Sequence, residues 1–413
     1  MEVKSKAWRS ILHSTATGQT VNITINRPRA LKARERGNDP DGLKSNFGQV
    51  FQQLQFLRPQ TLRCQQGARP FRVKFSGEGG IDAGGLYRDA VSEVCSTLLS
   101  RDTPLFIPCP NASGFGDNSN TWLPNPKCNT TLHLSMYAFV GKFMGMAIRG
   151  GAVLNLDLPS VLWKLIVATP ITRADIQDIN ALCFKILEQY ADPALTEETF
   201  AELPPQRFVT LSTDGREVEL RENGANELVT LANRAEYVRL EEHYRLHEFD
   251  LAVSQIRKGL GTIVPVHLLS LFTASEVETM VCGSREINID FLKRNTVYSG
   301  LRPSDAHVKF FWTVLEEMTQ KERQMFIRFV SGQSRLWNDD KDFQMKFKLQ
   351  PSAVDNDSIL PVSHTCFFSL ELPKVSGRHK RWATATADRC CLALCRRSLV
   401  PSQLPPCCCV FVC

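Results

Sequence analysis

The last forty residues differ so sharply from the rest of the chain that the fold has to be built from residues 1–373. Residues 374–413 hold seven basic side chains and one acidic side chain, and seven of the 14 cysteines crowd into residues 390–413. The net charge of +6 belongs to this tail, because the other residues carry 42 basic and 42 acidic groups. No basic surface remains in the body to bind a phosphate backbone, so we expect no nucleic-acid partner. The tail has no helical periodicity, and we predict that it is disordered.

The composition of the body is that of a globular protein. Hydrophobic residues make up 43% of the chain and charged residues 22%, and 413 residues suffice for two or three packed units. The first ten residues lack the apolar segment of a secretory signal, and the apolar run 161–168 is interrupted by Lys164. We therefore expect a cytoplasmic protein without membrane insertion. Seven cysteines are scattered singly over residues 64–366, as is typical of a reduced compartment.

Strand and helix patterns alternate along the body. We expect residues 1–40 to form a connector with one short helix, Phe71–Phe75 to form a half-buried strand, and Leu86–Leu99 to form an amphipathic helix. A helix predicted over Leu134–Ile148 carries small residues on one side, which lets a neighbour approach closely. Asp214-Gly215 predicts the turn of a β-hairpin.

The second half of the body contains patterns for helices and for one short strand. A helical region from Ala225 is predicted to break at Gly259 and Gly261. Thr319 and Glu322 form a capping-box pair that opens a helix. A turn sequence followed by a short strand then places Cys366 at a half-exposed loop tip.

Three segments in the right order resemble the HECT family of ubiquitin ligases. They are the segment Leu360–Pro373 around Ser-His-Thr-Cys-Phe, the Gly-rich segment Phe75–Asp89, and Phe329–Leu336, in which Ser-Gly-Gln-Ser-Arg-Leu is followed by Trp337 where the family usually has proline. The resemblance extends from about residue 40 to 373. It is strongest to the large HECT ligases that also carry chromosome-condensation-regulator repeats.

The resemblance implies an α+β, bilobal fold with a mainly helical N-lobe and a smaller α/β C-lobe. In this sequence the N-lobe would span residues 41–287, with an E2-binding sublobe at about 155–255. A hinge would lie at residues 288–290, and a truncated C-lobe would span 291–373. Residues 374–413 would be a tail foreign to the family.

The resemblance also assigns Cys366 as the residue that carries ubiquitin. It would accept ubiquitin from an E2 ubiquitin-conjugating enzyme as a thioester and pass it to a lysine of a protein substrate. The simpler reading of any lone cysteine is a buried, inert thiol. We assign no general base to His364, because neighbouring residues of an extended loop point apart.

By position, the E2-docking groove of the family matches Cys183, Leu187, Tyr190 and Tyr237. The first three share one face of a predicted helix, as a groove wall requires. Plain core packing is the alternative for all four residues.

No cofactor or metal is expected. The Gly-rich run 77–85 lacks the Lys-Ser/Thr of a phosphate-binding loop, so it is read as structural, with Arg88 and Asp89 holding nearby loops. The tail pairs Cys391/Cys395 and Cys409/Cys413 do not have the spacing of a common zinc site.

The family pattern stops after Pro373, where a Tyr-Ser segment and a final helix are missing. We expect Phe368, Leu370 and Leu372 to lose their cover, which would weaken the C-lobe. Two alternatives to an active ligase follow: an impaired module that still binds E2, and a cysteine hydrolase, which no second local motif supports.

Overall fold

The computed structural model describes residues 2–16, 20–65, 67–78, 85–114, 116–331, 335–336, 346–352, 361–364 and 367–374. Its buried apolar side chains form two separate cores. The first core runs from Trp8 to Cys282 and the second from Ile287 to Leu372. We call the two parts of the chain the first unit and the second unit. Both contain helices and strands, which confirms the predicted α+β class.

The first unit is mainly helical. Its α-helices are α1 (Glu2–Ser14), α2 (Arg27–Arg36), α3 (Asn46–Leu54), α4 (Pro59–Leu62), α5 (Gly85–Leu98), α6 (Thr131–Gly150), α7 (Ser160–Ile166), α8 (Arg173–Gln177), α9 (Ala181–Ala191), α10 (Glu197–Ala201), α11 (Arg234–His247), α12 (Asp250–Ile263) and α13 (Ala274–Cys282). Short 3-10 helices occur at Pro110–Ser113, Gly224–Asn226 and Val266–Leu271. Within the part of the chain that is described, no helix combines the length and the apolar character needed to cross a bilayer.

Among the described residues of the first unit, three two-stranded sheets accompany these helices. They are the parallel pair β1 (Val21–Ile25) and β2 (Phe71–Phe75), the antiparallel pair β3 (Phe106–Pro108) and β4 (Trp122–Pro124), and the antiparallel pair β5 (Val209–Leu211) and β6 (Glu217–Glu219).

The second unit packs helices against one mixed sheet. Its elements are α14 (Ile289–Arg294), β7 (Thr296–Tyr298), α15 (Ala306–Glu317), α16 (Gln320–Ser331), β8 (Phe347–Pro351), β9 (Val362–His364) and β10 (Ser369–Leu372). The strand order is β7-β8-β10-β9, in which only the pairing of β10 with β9 is antiparallel.

The first forty residues belong to the first unit, so the expectation of a connector is wrong. Strand β1 pairs in parallel with β2, with Ile23 opposite Val73. The Trp8 ring of α1 packs edge-on against Phe272, with 5.4 Å between the ring centroids. The alternation in Val21–Ile25 signalled this strand, but its partner lies about fifty residues away and no local pattern could identify it.

Helices α6 and α12 approach each other through glycines. A Cβ atom at Gly141 would lie 1.8 Å from the backbone oxygen of Ile256, and one at Gly259 would lie 1.7 Å from that of Ala138. The predicted close packing of α6 is therefore confirmed. The predicted helix break is wrong, because α12 continues through Gly259 and Gly261 and uses the first of them for interhelical contact.

Two local predictions are confirmed. The hairpin of β5 and β6 turns at Gly215, whose φ of +83° requires a residue without a Cβ. The side chain of Glu322 accepts hydrogen bonds from the backbone N–H and the hydroxyl of Thr319, both at 2.8 Å.

The chain passes between the two cores earlier than predicted. Asn288 caps α14, since its side chain accepts a hydrogen bond of 2.9 Å from the Phe291 N–H. Ile287 and Ile289 are buried in the second core. Residues 288–290 therefore lie inside the second unit rather than between the units.

The strand that precedes the tail is well covered, contrary to expectation. Phe368, Leu370 and Leu372 are each no more than 5% exposed, and Phe368 packs against Phe347 with ring centroids 5.1 Å apart. These side chains are buried in the second core because it includes α15, α16 and β8. The tail prediction concerns residues 374–413, of which the structure describes only Lys374.

Candidate functional site

The position predicted to carry ubiquitin lies between two paired strands. Strand β9 forms one edge of the sheet and pairs with β10, with His364 opposite Ser369 and Ser363 opposite Leu370. Thr365 and Cys366 themselves lie outside the described residues, so the structure gives no geometry for the thiol. The described residues on either side, up to His364 and from Phe367, are the two ends of the connection that contains Cys366.

The residues after position 366 turn sharply into the strand. Phe367 is 64% exposed, whereas Phe368 is buried and has a φ of +46°. A left-handed φ is costly for a bulky residue and is held in place by surrounding packing. Burial of Phe368 against Phe347 supplies that packing. The connection is thus anchored on one side by an aromatic side chain in the core.

His364 is engaged by a carboxylate of the neighbouring strand. Its Nε2 lies 2.9 Å from the Glu371 Oε1, which also accepts a hydrogen bond of 3.3 Å from Gln350 Nε2. This diagonal contact ties β9 to β10 at the point where the connection begins. His364 therefore has a structural role in the sheet.

Burial suppresses the ionisation of every cysteine that the structure describes. Desolvation raises the pKa of these thiols, to about 11 for Cys64, Cys128 and Cys183, to about 12 for Cys282, and in the same direction for Cys95 and Cys109. The thiolate is the nucleophilic form, so all six are poor nucleophiles at neutral pH.

The four residues predicted to line an E2 groove do come together, but mostly in the interior. Leu187 and Tyr190 of α9 are each 1% exposed, and Tyr237 of α11 is 5% exposed. The rings of Tyr190 and Tyr237 pack with centroids 5.7 Å apart. Cys183, partly buried, places its Sγ 3.5 Å from the Glu241 Oε1. In this conformation these side chains form the inner packing of α9 against α11.

The outer face of α9 carries apolar side chains that the sequence reading did not select. Leu182 and Ile186 are one turn apart and are 48% and 38% exposed. Leu211 of β5 and Leu228 are also exposed, at 62% and 55%. The helical spacing placed Leu187 and Tyr190 on one face, but no local signal shows which face of α9 turns outward.

A buried ion pair joins α11 to β5 beneath this face. Arg245 Nε donates to the Glu241 Oε1 at 2.9 Å, and its Nη2 donates to the Thr210 hydroxyl at 2.8 Å. The Thr210 hydroxyl donates in turn to the same Glu241 oxygen at 2.7 Å. The pair fixes the hairpin on the helix.

Around the Gly-rich segment the structure describes the two ends, while residues 79–84 lie outside it. Asp89, expected to hold nearby loops, accepts a hydrogen bond of 3.1 Å from the Arg27 Nη2. Arg27 also pairs with Glu78 and Glu93 and stacks 3.5 Å over the Phe75 ring. The role of Arg27 was missed because it lies in the presumed connector.

No metal site is apparent among the residues whose placement the structure describes, where no three His, Cys, Asp or Glu side chains converge. The tail cysteines Cys391, Cys395, Cys409 and Cys413 are outside that set.

Comparison with known proteins identifies the family. The model of the HECT-domain (ubiquitin-transferase) family matches residues 92–381. The E3 ubiquitin-protein ligases HERC2 of Mus musculus and of Homo sapiens are 38% and 37% identical over 382 residues, which is 90% of this chain. The E3 ubiquitin-protein ligase RSP5 of Chaetomium thermophilum is 29% identical over 73% of the chain and 37% of its own length.

The matched family is a class of ubiquitin-transferring domains. This chain belongs to that family, the HECT family. It spans about 8% of the length of the HERC2 relatives.

Proposed function

We propose that this chain is a ubiquitin transferase domain that accepts ubiquitin from an E2 as a thioester on Cys366 and passes it to lysines of protein substrates. The observation that carries the proposal is the family's active-site motif around Cys366, whose flanking residues form the paired strands β9 and β10. Burial makes the six described cysteines poor nucleophiles, which supports Cys366 as the acceptor. In this proposal the first unit, whose core runs from Trp8 to Cys282, is the N-lobe, and the second unit, whose core runs from Ile287 to Leu372, is the C-lobe. Residues 155–255 are the E2-binding sublobe. The free thiols of the described cysteines favour a cytoplasmic location.

The chemistry consists of two acyl transfers. The Cys366 thiolate attacks the carbonyl of the E2-bound ubiquitin, a new C–S bond forms, and the E2 thiolate leaves and takes up a proton. A substrate lysine, as the free amine, then attacks the same carbonyl, the C–S bond breaks as the amide forms, and the leaving Cys366 thiolate takes up the proton that the amine loses. An unperturbed thiol has a pKa of about 8.5, so a few per cent is already ionised at neutral pH. Because both sides of the first step are thioesters, little energy is lost and the acyl group stays activated.

The E2 docks on the sublobe in this proposal. Its contact face would include the exposed Leu182 and Ile186, with Cys183, Leu187, Tyr190 and Tyr237 forming the packed wall behind them. Residues 173–250 carry 17 acidic and eight basic side chains, a net charge of −9 in a chain whose overall charge is +6. Such a field attracts a partner with a basic docking face and speeds its association.

The second candidate is a module that binds E2 without transferring ubiquitin. It is favoured by residues 382–413, which lie beyond the match of the family model and lack the sequence pattern of the family's final helix. Among the described residues of the second unit, α15 and α16 together with Pro361 and Leu370 also line a small apolar crevice. In this alternative the missing segment is needed to orient the thioester, and Cys366 is never loaded.

One assay separates these functions. The chain is mixed with an E2 charged with fluorescent ubiquitin, and a thiol-sensitive adduct is sought on non-reducing gels for the native sequence, Cys366→Ala and the control Cys64→Ala, which lies outside the proposed docking region. An adduct with the native sequence and the control, absent from Cys366→Ala, supports the transferase. Binding of E2 without any adduct supports the second candidate. Rapid release of free ubiquitin that depends on Cys366, without an adduct, indicates a cysteine hydrolase.

A further inference from the structure

The two units are joined by a buried charge pair that the sequence gave no reason to expect. Arg335, which follows α16, donates from Nη1 to the Glu278 Oε1 of α13 at 2.8 Å. Its Nη2 lies 3.5 Å from both the Leu156 backbone oxygen and the Asp157 carboxylate. The side chain of Arg335 is 4% exposed and that of Glu278 is 11% exposed. An arginine of one unit is thus enclosed by acceptors of the other.

A backbone contact lies beside this pair. The Ser284 N–H donates to the Leu336 backbone oxygen at 2.7 Å, and the two residues form an isolated antiparallel bridge. Gly283, with φ +73° and ψ 179°, permits this approach, because a Cβ there would lie 2.9 Å from the same oxygen. The Leu336 side chain is buried in the second core. The bridge therefore joins the end of the first unit to a residue anchored in the second.

The segment between the cores is attached to the second unit. The Ile287 N–H donates to the Gln320 Oε1 at 2.9 Å, and Gln324 Nε2 donates to the Arg285 backbone oxygen at 2.7 Å. The Arg285 guanidinium reaches back to Glu278, at 2.7 Å. Rotation of the second unit about Gly283 and Ser284 would carry Arg335 away from Glu278 and break the pair.

We propose that Arg335 and Glu278 form a clasp that holds the two units in one orientation, and that this clasp has to open before a docked E2 can deliver ubiquitin to Cys366. Arg335 is then a positioning residue for the transfer. This inference rests on the proposed transferase function. A buried ion pair suits such a two-state role. Its geometry is specific, yet its net contribution to folding is small because desolvation offsets the attraction between the charges.

The first test measures orientation and needs no ubiquitin. Fluorophores are placed through unnatural amino acids at Phe56 and Val297, which are 88% and 46% exposed, one in each unit. Single-molecule energy transfer should give one narrow population for the native sequence. Arg335→Met combined with Glu278→Leu removes both charges, so that neither is left buried alone, and should broaden the distribution or add populations. Arg335→Lys keeps a charge within reach of Glu278 and should stay near the native distribution.

An unchanged distribution in the double variant, or a broad one in the native sequence, overturns the clasp. Thermal unfolding of each variant shows whether the second unit remains folded. A broad distribution supports the clasp only in a variant that keeps the unfolding transition of the second unit.

The second test measures the first transfer in single turnover from charged E2. The double variant should load Cys366 faster, by about threefold or more, because no clasp has to break. Its affinity for E2 should be unchanged, since the sublobe carries the docking face. Slower or equal loading overturns the role of the clasp in transfer. Absence of loading in every variant including the native sequence counts against the proposed transferase, while the distance measurement still decides whether the clasp exists.

Discussion

At the scale of single residues, a buried arginine binds backbone oxygens of two helices rather than a carboxylate. Arg149 is 1% exposed, and its side chain donates to the backbone oxygens of Ile263 and Leu12 and to the hydroxyl of Thr15. Burial lowers the pKa of Arg149 to about 10. The acceptors are carbonyls of the last turns of α12 and α1, so one side chain closes two helix ends.

Arg149→Met should destabilise the first unit by about 3 kcal/mol, because it leaves two buried carbonyls without a donor. Denaturant unfolding measures this loss, and Arg239→Met on the exposed side of α11 provides the control. A loss equal to that of the control would show that Arg149 does not hold the helix ends.

Asp175 provides a prediction for pH. Burial alone would raise the pKa of Asp175, but hydrogen bonds from Lys164 and Thr172 hold it below its ordinary value. A carboxyl whose pKa is lower in the folded chain adds stability above its unfolded pKa of about 4, and loses that contribution as the pH falls through the folded value.

Asp175→Asn should therefore be less stable than the native sequence at pH 7, and the difference should shrink below about pH 4. Urea unfolding between pH 7 and pH 3 tests this, with the exposed Asp178→Asn as the matched control. A difference that stays constant with pH would mean that the ion pair adds nothing.

At the scale of elements, the sequence identified helices and strands whose patterns are local. The strand Phe71–Phe75, the hairpin at Gly215 and the capping box at Thr319 all depend on neighbours a few residues away. The N-terminal segment was misread because its contacts are distant: Arg27 meets Glu93 across 66 residues. Gly259 was misread because the same residue that weakens an isolated helix also permits the closest helix contact.

The packing of α6 on α12 gives a matched pair of glycine substitutions. Gly259→Ala places a Cβ 1.7 Å from the Ala138 backbone oxygen, so the helices must move apart. Gly261→Ala meets only the Val266 side chain at 3.3 Å and also gains helix propensity. The first should cost about 2 kcal/mol or more and the second should be nearly neutral. Equal melting temperatures for the two variants would contradict the contact described here.

At the scale of the whole molecule, the candidate site could be predicted only in part. The motif around Cys366 is contiguous in sequence, so this residue could be proposed as the candidate site without coordinates. The docking region could not be divided into inner and outer residues, because α9 has apolar side chains on both faces: Leu187 is buried whereas Ile186 is exposed. The clasp at Arg335 joins segments 57 residues apart and has no local signature.

The docking proposal predicts that Ile186→Asp weakens E2 binding about tenfold or more, because it places a charge in an apolar contact. Leu31→Asp on α2, where the side chain is 55% exposed, is the matched control and should bind normally. Calorimetric or interferometric titration with E2 measures both. Equal affinities of the two variants would show that E2 does not bind on α9.

The central claim is that ubiquitin is carried by Cys366 and by no other cysteine. Cys366→Ser, incubated with charged E2 and analysed by peptide mass spectrometry, should trap ubiquitin as an ester at residue 366 that thiol reagents do not release, whereas Cys64→Ser should give the native thiol-sensitive adduct. A thiol-sensitive adduct that persists in Cys366→Ser, or ubiquitin mapped to any other cysteine, would contradict the account.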